Sequence, residues 1–392
     1  MNYVFNNTFV IITNNMAIAN DCINVVYILI DLIFLNIMRK TLFMVMASFL
    51  MLSLTSNAQS KKHLGIATYS VKGLESDLEG SFKSLAADGY VVMEIANYNA
   101  GTGLVAGKTP AEYAALAEKY GIDIISSHAR GKFDVKDVEG SLAAWGKVFD
   151  DHKAMGCKYV VFPMYTWAFT VEGVKAECDL MNLIGAEANK RGIKFGYHNH
   201  NAEFATLAGT TQLYEDFLIA NTDPDKVFFQ LDVYWIMVGG QDPVAYLKKY
   251  PTRFKVLHIK DEYVVGESGK LNYEAIFKQF YANGNQDWFV EMEGKMTKEQ
   301  LEANLARMEQ NKQRQASGGQ QASPQGGAQG QARPAGQQGG APAGASGQAR
   351  PAGAPGMGRP AMDPAAQAEM LKTSLEGIRA SADFLMKASY VK

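Results

Sequence analysis

An α/β chain closing into a (β/α)8 barrel is the fold this sequence predicts, and three observations predict it. From residue 63 onward, eight short apolar runs rich in β-branched residues alternate with segments of helical periodicity. Those segments open and close with helix punctuation. Polar side chains suited to metals gather where the apolar runs end, the place where barrels of this kind build their sites.

The runs are His63 to Val71, Tyr90 to Ala96, Ile122 to Ser127, Lys158 to Pro163, Ile193 to His200, Val227 to Tyr234, Phe254 to Ile259 and Asp287 to Glu293. Between the second and third, Thr109-Pro110-Ala111-Glu112 offers a cap, a first-turn proline and the return carboxylate of a capping box, and Gly121 stops the helix. Asp242-Pro243 opens another helix in the same way ahead of Tyr246 and Leu247. After the eighth run, residues 297–313 read as helical. Asp363-Pro364 then starts a closing helix with Leu371, Leu375, Ile378, Ala382 and Leu385 at core-facing spacing. Strict alternation of strand and helix requires parallel strands with right-handed crossovers. An open doubly wound sheet would want a glycine-rich phosphate turn after the first run, and Ala67-Thr68-Tyr69-Ser70 supplies none.

The barrel occupies residues 59–312 and 362–392 of a 392-residue chain. Residues 313–361 are dominated by Gly, Ala, Gln and Pro, a composition that cannot bury enough apolar area to offset ordering entropy, and we read them as a disordered insert. Its length is tolerable because loop-closure cost grows only logarithmically. Residues 38–58 read as a signal peptide: Met38-Arg39-Lys40, an apolar run from Leu42 to Leu54, then Ser56-Asn57-Ala58. Residues 1–37 precede it, where a signal should begin, and we read them as a miscalled upstream extension. Their apolar stretch is short for a bilayer span and contains Asp31. These readings place the mature barrel in the periplasm or outside the cell, with no stable membrane anchor after cleavage. A net charge of −2 with interspersed signs gives no basic surface, so a nucleic-acid partner is not expected. Cys157 and Cys178, on separate elements without a CxxC spacing, are expected to be free buried thiols. Oligomeric state is not legible.

The run ends carry the chemistry. They present Glu94, His128, His198 with His200, Asp232, His258 with Lys260 and Asp261, and Glu291 with Glu293, at intervals of roughly one βα unit. Two imidazoles and two carboxylates from adjacent strands, His198, Asp232, His258 and Glu291, make a nitrogen and oxygen site for a divalent metal. Mn²⁺ is favoured, with Zn²⁺, Co²⁺, Fe²⁺ and Mg²⁺ chemically compatible. Glu291 and Glu293 share a strand face, so one of them suffices as ligand. Glu291 or an unligated His200 is a candidate base, and Lys260 a candidate for stabilising an enolate. Glu94, His128, Trp235 and Glu293 are candidates for binding substrate, and Tyr69, Tyr98, Tyr165 and Trp167 for stacking on a sugar ring.

The segments Tyr197-His198-Asn199-His200-Asn201-Ala202-Glu203-Phe204, Gln230-Leu231-Asp232-Val233-Tyr234-Trp235, Leu257-His258-Ile259-Lys260-Asp261 and Phe289-Val290-Glu291-Met292-Glu293 resemble the sugar phosphate isomerase/epimerase superfamily of xylose isomerase-like TIM barrels. The resemblance implies a metal held by residues of strands five to eight, which fall here on His198, Asp232, His258 and Glu291. Many relatives have Glu where this chain has His198, and sugar epimerases of the family often have a substrate-contacting His where it has Trp235. Both departures argue against a symmetrical two-carboxylate epimerase. What the resemblance implies is a metal-dependent sugar isomerase or epimerase that abstracts a proton beside a carbonyl of a small sugar or keto-sugar, unphosphorylated given the expected compartment. The alternatives are a 3-keto-glycoside lyase and a non-catalytic carbohydrate-binding barrel.

Overall fold

The computed structural model describes residues 34–42, 62–294 apart from Met164 and Thr166, Ala306, and 363–392. Most of the upstream extension and of the signal peptide, the helix at 297–313 apart from Ala306, and the insert at 313–361 lie outside the described residues. Residues 1–61 form one unit, in which 34–42 are helical, and residues 62–392 form the other. Among the described residues no helix is long and apolar enough to cross a membrane.

Among the described residues the second unit holds ten strands: β1 (Leu64–Ala67), β2 (Tyr90–Ile95), β3 (Tyr98–Asn99), β4 (Leu104–Val105), β5 (Asp123–His128), β6 (Tyr159–Pro163), β7 (Lys194–His198), β8 (Val227–Asp232), β9 (Phe254–Ile259) and β10 (Asp287–Val290). Eight of them close a parallel barrel in the order β1-β10-β9-β8-β7-β6-β5-β2, while β3 and β4 make a small antiparallel hairpin in the loop after β2. The register sets His198 beside Gln230 and Asp232 beside His258.

The helices follow: α1 (Leu78–Ala87), α2 (Pro110–Lys119), α3 (Val138–Ala154), α4 (Val171–Asn189), α5 (Tyr214–Asn221), α6 (Val233–Val238), α7 (Pro243–Lys249), α8 (Tyr273–Ala282) and α9 (Pro364–Lys387). Side-chain caps begin most of them: Thr109 and Glu112 form the capping box of α2, and Asp77, Asp137, Thr170, Asp242, Asn272 and Asp363 accept from first-turn amides. Each such cap is worth about 1 kcal/mol. Helix α6 differs from expectation. The sixth apolar run ends as a strand at Asp232 and continues as a helix from Val233, with Asp232 itself as the cap.

Helix α9 buries Leu371, Ile378, Ala382 and Leu385 against the barrel. It lies so close that a Cβ on Gly377 would stand 2.5 Å from Met292 Cε and 2.7 Å from the Tyr263 hydroxyl oxygen, so a larger residue would have to displace those side chains. The Lys62 amino group donates to the Leu385 and Ala388 carbonyls at its C-terminal end, and the His63 amide donates to the Lys392 carbonyl at 2.9 Å. Cys157 and Cys178 are free and buried.

One apolar core lies between barrel and helices, and a second fills the barrel floor with Val92, Ile125, Val161, Phe228, Val256 and Phe289. Side chains alternate across a strand, so positions two residues beyond the floor point inward again, one level higher. On β2, β8 and β9 and at the end of β10 those positions are polar: Glu94, Gln230, His258 and Glu291.

Candidate active site

Asp232, His258, His198 and Glu291 are all buried, and each offers one donor atom within 4.8 Å of the others. Asp232 Oδ1 is taken by the Tyr234 and Trp235 amides at 2.9 and 2.8 Å, as the cap of α6, which leaves Oδ2 inside the cluster with no hydrogen-bond partner. His198 Nε2 lies 3.9 Å from that oxygen. His258 Nδ1 lies 2.9 Å from Glu291 Oε2 but is not aligned for a hydrogen bond. A buried carboxylate oxygen without a donor is costly in a protein interior, and a cation among these four side chains would satisfy it. His128, His198 and His258 form a second, overlapping group of compatible donors, with ring centroids 4.6 to 4.9 Å apart.

Electrostatics follows from burial and pairing. Burial pushes the Asp232 carboxyl up to about 7, since neighbouring Lys260 offsets only part of the desolvation. Burial opposes charge on His258, but Glu94 and Glu291 override it and raise the imidazole to about 10. Burial holds His198 well below its usual range and His200 at about 3, so both are neutral near pH 7. Desolvation works against the Glu291 carboxylate, yet Lys260 and His258 keep it well below the ordinary range.

The other expected residues fall in two places. Lys260, fully buried, donates to Glu291 Oε1 at 2.6 Å and Glu293 Oε1 at 2.7 Å, and its Nζ stands 5.1 Å from the Trp235 ring centroid. Glu293 also accepts from the Tyr69 hydroxyl at 3.0 Å, and the Lys72 amino group lies over the Tyr69 ring. The His200 ring sits beside Trp235 at 5.9 Å, its Nδ1 unpartnered. Glu94, expected to face substrate, lies instead beneath the mouth, fully buried. Ser126 and Gln230 donate to its Oε2, and His258 pairs with its Oε1, as does the less buried His128 at 3.2 Å. Three of the aromatic residues are not at the mouth. Tyr197 points outward from the barrel, and the Trp167 indole and Tyr165 amide donate to its hydroxyl, while the Tyr98 hydroxyl donates to Asp151 on α3. They pack the layer between barrel and helices.

Gln230 and Glu203 were not singled out in the sequence. The signal for Gln230 is its position two residues before Asp232, on the same strand face. Glu203 accepts from the His200 amide at 2.8 Å and the Tyr197 hydroxyl at 2.6 Å, bracing the turn that carries His198 and His200. Its spacing three residues after His200 is that of a carboxylate folding back onto a backbone amide.

Comparisons with known proteins agree with this architecture. A family model described as xylose isomerase-like TIM barrel matches residues 82–311. Two crystal structures of sugar phosphate isomerase/epimerase from Parabacteroides distasonis are 29% and 28% identical. Their TM-scores are 0.62 and 0.64, covering 84% and 86% of this chain and 100% and 98% of theirs. Inosose dehydratase of Clostridium perfringens is 26% identical over 207 residues, 48% of this chain and 65% of that protein. Inosose dehydratase of Clostridium beijerinckii is 28% identical over 145 residues, 31% of this chain and 47% of that protein. The chain thus spans about half the length of the curated relatives it matches. With its eight parallel strands closed and the family model covering most of that barrel, the chain belongs to the xylose isomerase-like TIM barrel family and is a sugar isomerase/epimerase-like barrel.

Proposed function

We propose that this barrel is a secreted, divalent-metal-dependent enzyme that removes a proton from the carbon beside the carbonyl of an unphosphorylated sugar or keto-sugar. The observation that carries the reading is the convergence of His198, Asp232, His258 and Glu291 with Asp232 Oδ2 left unpartnered. These four residues would hold the ion, and their two nitrogens and two carboxylates suit Mn²⁺ first, then Zn²⁺, Co²⁺, Fe²⁺ or Mg²⁺. When bound, such an ion polarises a carbonyl and stabilises the charge of an enediolate.

The remaining chemistry belongs to the chain. Glu293 is the carboxylate the mouth leaves most open, with a side chain 25% exposed against 5% for Glu291. Held by Lys260 and Tyr69, it can take the carbon-bound proton while the bonding electrons move onto the adjacent carbonyl. Neutral His200 and the Trp235 indole can orient sugar hydroxyls beside it. Proton return to the same carbon gives epimerisation, and return to its neighbour gives isomerisation. Breaking a carbon–oxygen bond one position along, with the oxygen leaving as water or an alcohol, gives elimination. Elimination is favoured by the dehydratases among the relatives, which by name remove water from a keto-cyclitol, and by His198 standing where a second carboxylate would serve an epimerase. A 3-keto-glycoside with its aglycone as leaving group fits the same step. Secretion is supported by the signal-like residues 38–58.

Mass spectrometry of a keto-sugar and 3-keto-glycoside panel incubated in D₂O tests the proposal. Deuterium uptake or elimination product is expected, and both should vanish with chelator and return with Mn²⁺ or Zn²⁺. A panel that yields neither exchange nor elimination product with any member would overturn it. Calorimetric sugar binding that survives both metal removal and Asp232→Ala would favour a non-catalytic carbohydrate-binding barrel.

A further inference from the structure

Directly beneath the four converging donors, Gln230 and Glu94 form a polar layer whose hydrogen bonds admit one consistent arrangement. Glu94 Oε2 already accepts from the Ser126 hydroxyl at 2.6 Å, so the Gln230 amide nitrogen is the atom that faces it, at 2.8 Å. The Gln230 oxygen then faces His198 Nδ1 at 3.0 Å and His128 Nε2 at 2.7 Å. An amide oxygen has no proton to give, so both of those nitrogens carry hydrogen. On the other side, His258 Nε2 donates to Glu94 Oε1. His198 is thus committed through Nδ1 and His258 through Nε2. The nitrogens left over are His198 Nε2, nearest to Asp232 Oδ2, and His258 Nδ1, nearest to Glu291 Oε2.

We propose that Gln230 is a tautomer-setting positioning residue: it holds His198 in the Nδ1–H form and so turns the Nε2 lone pair toward Asp232, while Glu94 engages His258 through Nε2 and leaves Nδ1 as the nitrogen facing the cluster. His198 depends on this most, because an unconstrained histidine side chain in water favours the Nε2–H form, which would present a proton instead of a lone pair to Asp232. Gln230 is the one side chain in the layer that both gives and takes. A Glu there would set two carboxylates face to face and lose the bond to Glu94, and an apolar residue would release His198 altogether. Histidines that ligate metals are commonly oriented through the opposite nitrogen, and loss of such a partner costs 10- to 100-fold in affinity. The inference rests on the metal reading for its purpose, but the His198 tautomer exists or not irrespective of it.

Long-range ¹H–¹⁵N spectra of the ¹⁵N-histidine-labelled full chain test it, with His198→Asn and His258→Asn used to assign the rings. In metal-free protein near neutral pH, His198 is expected as Nδ1–H, and with Zn²⁺ added, His258 as Nε2–H with its Nδ1 resonance displaced. In Gln230→Met, His198 should revert to Nε2–H and the calorimetric Kd for Zn²⁺ should rise roughly 10- to 100-fold, with the thermal midpoint of the metal-free protein close to that of wild type. An Nε2–H form of His198 in the wild-type protein overturns the proposal, as does Gln230→Met keeping both the tautomer and the affinity. Should Gln230→Met not fold, Gln230→Asn and the wild-type spectrum decide. A wild-type chain that binds neither Zn²⁺ nor Mn²⁺ overturns the metal reading, while the His198 tautomer still decides this one.

Discussion

On β8, β9 and β10 the inward-facing side chains step from Phe228 to Gln230 to Asp232, from Val256 to His258 to Lys260, and from Phe289 to Glu291 to Glu293. The first member of each series belongs to the apolar floor, and the next two belong to the polar layers above it. The floor contains nothing but shape: Phe228 packs edge-on to Tyr159 at 5.3 Å and presses so closely on Gly196 that a Cβ there would fall 2.6 Å from its ring. The layers above contain buried charge, displaced titrations and an unpartnered oxygen. One pair of strand positions separates a region built for stability from a region built against it, and the same backbone serves both because side chains of a strand repeat every second residue.

That contrast can be broken from either end. Removing the charge of the top layer with Asp232→Asn, which keeps the Oδ1 cap of α6, is expected to lower D₂O exchange roughly 10³-fold or more, while urea unfolding shows a chain as stable as wild type or slightly more so, since a buried carboxylate has gone. Phe228→Ala should do the reverse, costing about 3–5 kcal/mol in urea unfolding with exchange per folded molecule within a few-fold of wild type. If Phe228→Ala abolished exchange at full stability, floor and mouth would not be separable.

Two buried groups outside the barrel interior sharpen the comparison. His152 on α3 lies fully buried between the Val148 carbonyl and the Ser127 hydroxyl, and burial lowers it to about 4. Its neutral form is folded and its unfolded form takes a proton below about 6.5, so the stability it contributes is present above that pH and is lost as the pH falls toward 4. Relative to pH 7.5, wild type should lose about 2 kcal/mol more by pH 5 than His152→Gln, as read from urea curves at each pH. The smallest effect is expected at Glu215 on α5, buried with neither carboxylate oxygen partnered and held protonated well above the usual range by burial. Glu215→Leu should raise stability by about 1 kcal/mol at pH 7, and a loss instead would mean that this carboxyl has a partner-like role in packing α5.

The sequence made the strands legible because parallel barrel strands are apolar on both faces, and the capping of α2 and α7 because Thr109, Glu112 and Asp242 act within four residues of chain. The convergence of His198, Asp232, His258 and Glu291 was foreseeable from the repeating intervals of metal-compatible residues together with the family resemblance. What stayed hidden depended on depth and facing. Glu94 ends its strand like the other site residues, but its buried carboxylate is engaged by Ser126, Gln230 and His258 rather than turned to the mouth. Trp167, Tyr165 and Tyr98 are near strand ends yet pack on the outer side, a choice that composition cannot express. The passage from β8 into α6 was unreadable because Val233, Tyr234 and Trp235 continue an apolar run without a break in period.

The bond from His63 to Lys392, with Lys62 seated on the last carbonyls of α9, brings the stretch that opens β1 against the stretch that follows α9. Linear order along the polypeptide is therefore separable from what keeps this ring of staves shut. A rewired chain that begins at Asp363, runs through a short linker from Lys392 into Lys62 and finishes at Lys312 keeps the described pairing of every stave, and dispenses with the glutamine- and glycine-rich passage without reopening the seam between β1 and β10.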